Sequence, residues 1–150
     1  DGPDDGASYV IGIGSAQVRA RLDRRLSEWG WRAATLIHPL ANLASDNRIS
    51  EGVVIAAGAH ITTNVTLGRH VHINLSSVIS HDCVLGDYCQ ISPGVLLNGE
   101  VQLGERAFLG TGAVVTPGVS IGTDAVVGAG AVVVRDVPAR ATVKGVPGRW

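Results

Sequence analysis

At 150 residues, with a net charge of −1 and 45% hydrophobic residues, the chain has room for one domain, or one and a small one. The charge balance gives no electrostatic case for nucleic acid or an anionic membrane, and no apolar run approaches the roughly 20 residues a membrane span needs. No secretory leader is visible, which points to a cytoplasmic protein; with no methionine anywhere, the chain is expected to be a piece of a longer one.

In chain order, Asp1–Ala7 is acidic and reads as disordered or as the end of a loop. Tyr9–Ile13 (YVIGI) has the pattern of a short buried strand. Gly12 and Gly14 follow, with Ser15 placed to cap a helix. Val18, Leu22 and Leu26 share one helical face, Arg19, Arg21, Arg24 and Arg25 fall largely outside it, and Gly30 is placed to stop the helix. Trp31–Ile37 reads as a second strand. Residues 1–39 are thus a partial α/β segment of β-α-β order. Its lone G-x-G is a weak nucleotide signal that a tight turn explains equally well. His38-Pro39 marks the handover to residues 40–150.

From Leu43 to Val133 an aliphatic residue recurs every sixth position for fifteen steps, among them Ile79, Leu97, Val115 and Val133. Two places before each stands a smaller residue, such as Ser77, Val95 and Ala113, with Asn47 the exception in that column. One place after, Gly or Asn is frequent, and these residues are expected to supply positive φ at sharp corners. A period of six fits neither a free helix nor a hairpin sheet; it fits an all-β solenoid of hexapeptide repeats, one short strand and one corner each. Three hexads close a triangular coil, so residues eighteen apart stack, and the hexads make about five coils rising roughly 4.8 Å each. After Val133 the period stops, and the tail to Trp150, with Pro138 and Pro147, is expected to cover the last coil.

Cys83 and Cys89 fall in the small inward column and read as reduced core residues. Of the five histidines, His70 and His72 are expected to face solvent. No histidine follows His81, so the close downstream pair of the three-histidine zinc site in gamma-type carbonic anhydrases is missing and no metal site is expected. His81 stands two places after Ile79, off the inward columns, with Asp82 beside it. One coil onward is Gly99, one coil back Thr63. A glycine stacked on an outward His leaves room for a thioester and an accessible N–H for an oxyanion. Asp82 is able to accept from the imidazole and raise its basicity. On these residues alone a plain surface His-Asp pair is the competing reading.

The segment Asn74–Asp87 (NLSSVISHDCVLGD) resembles the active-site segment of bacterial hexapeptide-repeat sugar acetyltransferases, in the branch holding sialic acid O-acetyltransferases and UDP-4-amino-sugar N-acetyltransferases. Pro93–Val95, Gly128–Val133, the closing Val143–Arg149, Gly12–Gly14 with its Arg-rich helix, and Leu36–Pro39 are similar too, so the likeness covers nearly the whole chain. The resemblance implies a left-handed parallel β-helix and direct acetyl transfer from acetyl-CoA, with His81 as general base and Asp82 supporting it. It implies a homotrimer with acetyl-CoA in the groove between neighbouring β-helices, contacted by positions matching Gln90, Gly99, Thr111 and Ala129. Some relatives carry a second His where Gln90 stands. Gly14 and Asn74 match positions near the nucleotide sugar; most nucleotide-sugar contacts in the family lie in an N-terminal strand and Gly-rich loop without a counterpart here. The preferred acceptor is a nucleotide-linked amino sugar. The alternatives are O-acetylation of sialic acid or another polysaccharide sugar, and a non-catalytic trimeric scaffold.

Overall fold

The computed structural model describes residues 7–150, so the reading of the acidic start lies, but for Ala7, outside the described residues. β1 (Ser8–Tyr9) pairs in parallel with β2 (Arg32–Ala33), and α1 (Ala16–Glu28) connects them. Ser15 caps α1 from an extended conformation, its hydroxyl accepting from the Val18 N–H at 3.4 Å. Gly30 ends the helix at φ +82°. Tyr9, Ile11 and Ala33 form a small core, with Leu22, Leu26 and Trp31 packed on it.

The expected second strand divides. Arg32–Ala33 stays with β1, whereas β3 (Leu36–Ile37) pairs with Val54–Ile55 as the first rung of the solenoid. The Leu36 and His38 N–H groups donate to Val53 O and Ile55 O, both at 2.9 Å. The boundary therefore falls at residues 34–35 and not after Pro39, which sits in the first corner, where its missing N–H costs no ladder bond.

From Leu36 to Val143, two-residue parallel rungs alternate with corners and stack into three sheets of seven, six and five strands. In chain order these are a first face, with His72, Gln90 and Phe108 pointing outward; a second, with His60, Val78 and Leu96; and a third, with Thr66, Val84 and Gln102. Eighteen strands on three faces make about six turns, one more than expected. The added rungs lie at the ends. β3 supplies one, and beyond Val133 the period does not stop but loses two residues: Val137 pairs with Ile121 and Thr142–Val143 with Val126–Val127. Only the segment from Lys144 caps the coil. It folds back through a Lys144–Arg149 bridge, and the Gly148 N–H donates to Val132 O at 2.7 Å.

Inside, Ile79, Leu97 and Val115 stack in register and are buried. Cys83 and Cys89 are free and inward, and burial pushes the Cys89 thiol up to about 12. The corner glycines work differently from the expectation. Every sixth residue from Gly52 to Gly130, glycine or not, has a left-handed φ between 52° and 75°, and these stand three places after the aliphatic, not one. The glycines one place after it are needed for space: a Cβ on Gly104 would lie 2.5 Å from the Thr123 nitrogen of the next coil, and one on Gly110 2.6 Å from that of Ala129. No helix among the described residues is long and apolar enough to cross a membrane.

Candidate active site

His81 lies on the edge where the second face turns into the third, and its side chain is 54% exposed. Its Nδ1 is 2.8 Å from Asp82 Oδ2. Asp82 occupies the left-handed corner position at φ +60°, which turns its carboxylate back toward the preceding ring. Its other oxygen accepts from Asn64 Nδ2 at 2.6 Å, one coil below. Hydrogen bonds from Asn64 and then His81 hold the Asp82 carboxyl below its usual range, so it is ionised at neutral pH. A carboxylate facing Nδ1 fixes the proton there and leaves the Nε2 lone pair free as a base. The edge itself is pinned: Glu100 N–H donates to His81 O at 2.9 Å, and Asp82 N–H to Thr63 O at 3.2 Å.

The free side of the ring lies against Gly99. A Cβ there would stand 2.4 Å from His81 Cε1 and 2.5 Å from Nε2. The imidazole therefore packs against the backbone one coil up, as the eighteen-residue spacing requires. His81, Asp82 and Gly99 form one constellation. Asn64 is a fourth member that sequence reasoning missed, although its place eighteen residues before Asp82 was the signal for it.

The remaining candidates stand elsewhere. Thr111 and Ala129 are exposed on the edge between the first and second faces, where the partly buried Asn74 also lies; the whole second face separates them from His81 in the same chain. Gln90 points outward from the first face but is buried beneath α1, and its Oε1 accepts from Arg19 at 2.9 Å. That commitment leaves it no open surface toward a cofactor within this chain. Gly14 is exposed near the third–first edge. With Gln17, Arg106, Phe108 and Asp124 it lines a cavity of ≈ 350 Å³, also away from His81.

Contrary to expectation, His70, His72 and Arg19 are all buried, because α1 docks on the first face and its adjoining edge. Arg19 donates to the carbonyls of Ile13, Gly14, Tyr88 and Cys89 at 2.7–3.2 Å; burial lowers its pKa to about 10, which still leaves it charged at neutral pH. His70 is stacked between the Tyr9 and Tyr88 rings, and its Nε2 lies 2.9 Å from Asp23 Oδ1. Burial pushes both histidines down, His72 to about 4. Burial alone would raise Asp23. Hydrogen bonds from Arg69 at 2.7 and 2.8 Å, from Tyr88 and from Tyr9 outweigh it and hold the carboxyl well below its usual range. Ala16, Arg19 and Asp23, spaced three and four apart, form the stripe of α1 that makes this contact.

A histidine held by a carboxylate on the edge of a hexapeptide-repeat β-helix is the arrangement the comparisons with known proteins address. Residues 100–135 match the hexapeptide repeat of succinyl-transferase. Over 75 residues the chain is 36% identical to GDP-perosamine N-acetyltransferase of Escherichia coli O157:H7; the match takes in 50% of this chain and 34% of that protein, about a third of its length. Among solved structures, perosamine N-acetyltransferase from Caulobacter crescentus with CoA and GDP-perosamine superposes with a TM-score of 0.94 at 42% identity, over 95% of this chain and 69% of that one. The acetyltransferase domain of PglB from Neisseria gonorrhoeae with acetyl coenzyme A gives 0.91 at 32% identity, over 93% and 68%. The chain belongs to the hexapeptide-repeat sugar N-acetyltransferases and has their left-handed β-helix.

Proposed function

We propose that this chain transfers the acetyl group of acetyl-CoA to the amine of a nucleotide-linked amino sugar, with His81 as general base. The carrying observation is the His81 ring, held by Asp82 at Nδ1 and laid on Gly99 at an exposed edge. The acceptor amine attacks the thioester carbonyl and gives its proton to His81 Nε2. The Asp82 carboxylate stabilises the imidazolium, and in this reading the Gly99 N–H donates to the oxyanion. Collapse expels the CoA thiolate, which takes the proton back and leaves an amide and free CoA. No acetyl-enzyme is needed: Cys83 points inward and burial raises its thiol pKa.

The relatives support acceptor and donor alike. The Caulobacter complexes contain CoA and GDP-perosamine, two of them with a histidine changed to Asn or Ala. A homotrimer follows from the same reading. Thr111 and Ala129 lie a full face away from His81, so a neighbouring copy must bring that edge to the base.

Thiol release with acetyl-CoA and GDP-perosamine tests the proposal. Turnover is expected, and His81→Ala should lower kcat by roughly 10²–10⁴ while leaving CoA affinity intact. Near-normal turnover of His81→Ala, an acetylated residue trapped by mass spectrometry, or no CoA release with any nucleotide amino sugar would overturn it.

A further inference from the structure

The hydrogen-bond pattern of the edge changes one coil below His81. In its upper corners the left-handed residue donates its N–H to a carbonyl one coil back: Asp82 to Thr63, Glu100 to His81 and Gly118 to Gly99, at 2.9–3.2 Å. At Asn64 the acceptor is a side chain. Its N–H donates to Asp46 Oδ2 at 3.2 Å, and the Thr63 hydroxyl donates to the same oxygen. The hydrogen bond from Thr63 holds the Asp46 carboxyl below its usual range, so the acceptor is a carboxylate at neutral pH. The next N–H, of Val65, donates to Asn47 Oδ1 at 2.8 Å, while Asn47 Nδ2 donates to Ala44 O at 2.9 Å. Asn47 is the residue that breaks the column of small inward positions, and these two bonds are what its amide does there. Two adjacent side chains thus grip three consecutive residues, Thr63 to Val65. Both stand just before Arg48–Ile49, the outermost rung of the third face.

We propose that Asp46 and Asn47 are positioning residues for the base: they fix the Thr63–Val65 corner, from which Asn64 holds Asp82 and Asp82 holds His81. This rests on the reading of His81 as general base. Asn64 is exposed and stands at φ +55°, a conformation that a residue with a side chain keeps only where its surroundings impose it. Its Nδ2 reaches Asp82 Oδ1 at 2.6 Å, and at an exposed edge water competes for both partners. The amide orients the carboxylate only if it starts from a fixed backbone, which the grip of Asp46 and Asn47 supplies. Asp82 Oδ2 then stays on His81 Nδ1, the proton stays on that nitrogen, and Nε2 remains the base. The path runs through two coils, about 10 Å along the axis.

Steady-state thiol release and the imidazole nitrogen NMR spectrum of His81 test the assignment, on the wild-type chain, Asp46→Ala, Asp46→Asn, Asn47→Ala, and each Ala variant combined with Asn64→Ala. Asp46→Ala and Asn47→Ala should each lower kcat about fivefold, with acetyl-CoA affinity unchanged and a smaller share of the Nδ1–H tautomer at His81. Asp46→Asn keeps an acceptor oxygen and should stay within about twofold of wild type. In the Asn64→Ala background neither substitution should cost more than about a further twofold, because the path is already cut. Losses that add in full to that of Asn64→Ala, an unchanged tautomer ratio despite a fall in kcat, or wild-type kcat in both Ala variants would overturn the assignment. The tautomer spectrum needs no substrate. If the wild-type chain releases no CoA with any nucleotide amino sugar, the general-base reading falls, and the tautomer ratio still decides whether Asp46 and Asn47 position the ring.

Discussion

Gly99→Ala isolates the contact on which the proposed chemistry depends. The added Cβ would stand 2.4 Å from His81 Cε1 and 2.5 Å from Nε2. Carbon contacts become favourable only near 3.5 Å, so the ring must retreat by about 1 Å. The backbone offers no resistance, since Gly99 lies outside the left-handed φ positions that penalise a side chain. The ring is half-exposed and swings outward without opening a cavity, so stability should change by about 0.5 kcal/mol or less. Catalysis should suffer far more: a displacement of about 1 Å in a reacting group costs roughly 10²-fold. The assay is steady-state thiol release, with the acetyl-CoA dissociation constant and Tm measured alongside. The expected result is a kcat near one hundredth of wild type with Tm and affinity nearly unchanged. A kcat within twofold of wild type would show that the packing of His81 on Gly99 is not the reactive geometry. A large fall in Tm would trace the loss to the fold instead.

Asn64→Ala removes one of the two groups that orient Asp82 and should lower kcat about tenfold, with CoA affinity unchanged by calorimetry. Leu97→Ala should cost roughly 2–5 kcal/mol in urea unfolding, because Leu97 is buried between the Ile79 and Val115 rungs and a closed coil cannot collapse onto the cavity. Stability should also fall with acid. Burial first, then Arg19 and His70, depress His72 to about 4 in the folded chain. The unfolded chain takes up that proton near pH 6.5, so stability is whole above about 6.5, declines down to about 4, and loses up to about 3 kcal/mol. Urea midpoints compared between pH 7 and 4.5 measure this, and His72→Gln should flatten the difference. Below that window the depressed Asp23 adds a further loss as its carboxylate protonates.

The solenoid was legible because its core obeys one rule: the aliphatic at every sixth place turns inward whatever its neighbours do, and Ile79, Leu97 and Val115 stack as the spacing requires. His81, Asp82 and Gly99 were legible by the same arithmetic, since an eighteen-residue offset is a physical contact in this fold. The outward positions carry no such signal. His70, His72 and Gln90 alternate with core residues as any solvent-facing residue would, and only the docking of α1 buries them. Arg19 misled for a related reason. The helix has two packed stripes, the partly buried Leu22 and Leu26 toward β1 and β2, and the buried Ala16, Arg19 and Asp23 toward the coil. The second is polar, because it meets corner carbonyls and Arg69 rather than an apolar face. The end of the coil was misplaced because a two-residue deletion after Val133 shifts the period while the hydrogen-bond ladder continues.

The same column arithmetic explains why the base stands where it does. Along its edge the chain places Thr63, His81, Gly99, Pro117 and Arg135 in successive coils. An imidazole packed against the next coil needs a neighbour without a Cβ on that side, and it needs a carboxylate in the following left-handed corner. At position 63 the residue above would be His81 itself, and at position 99 it would be the Pro117 ring. The left-handed corner residues after positions 63, 99 and 117 are Asn64, Glu100 and Gly118. Of these only Glu100 is acidic, and it lies beneath the proline level. Position 81 alone combines a glycine above, an aspartate beside it, and an amide below to hold that aspartate.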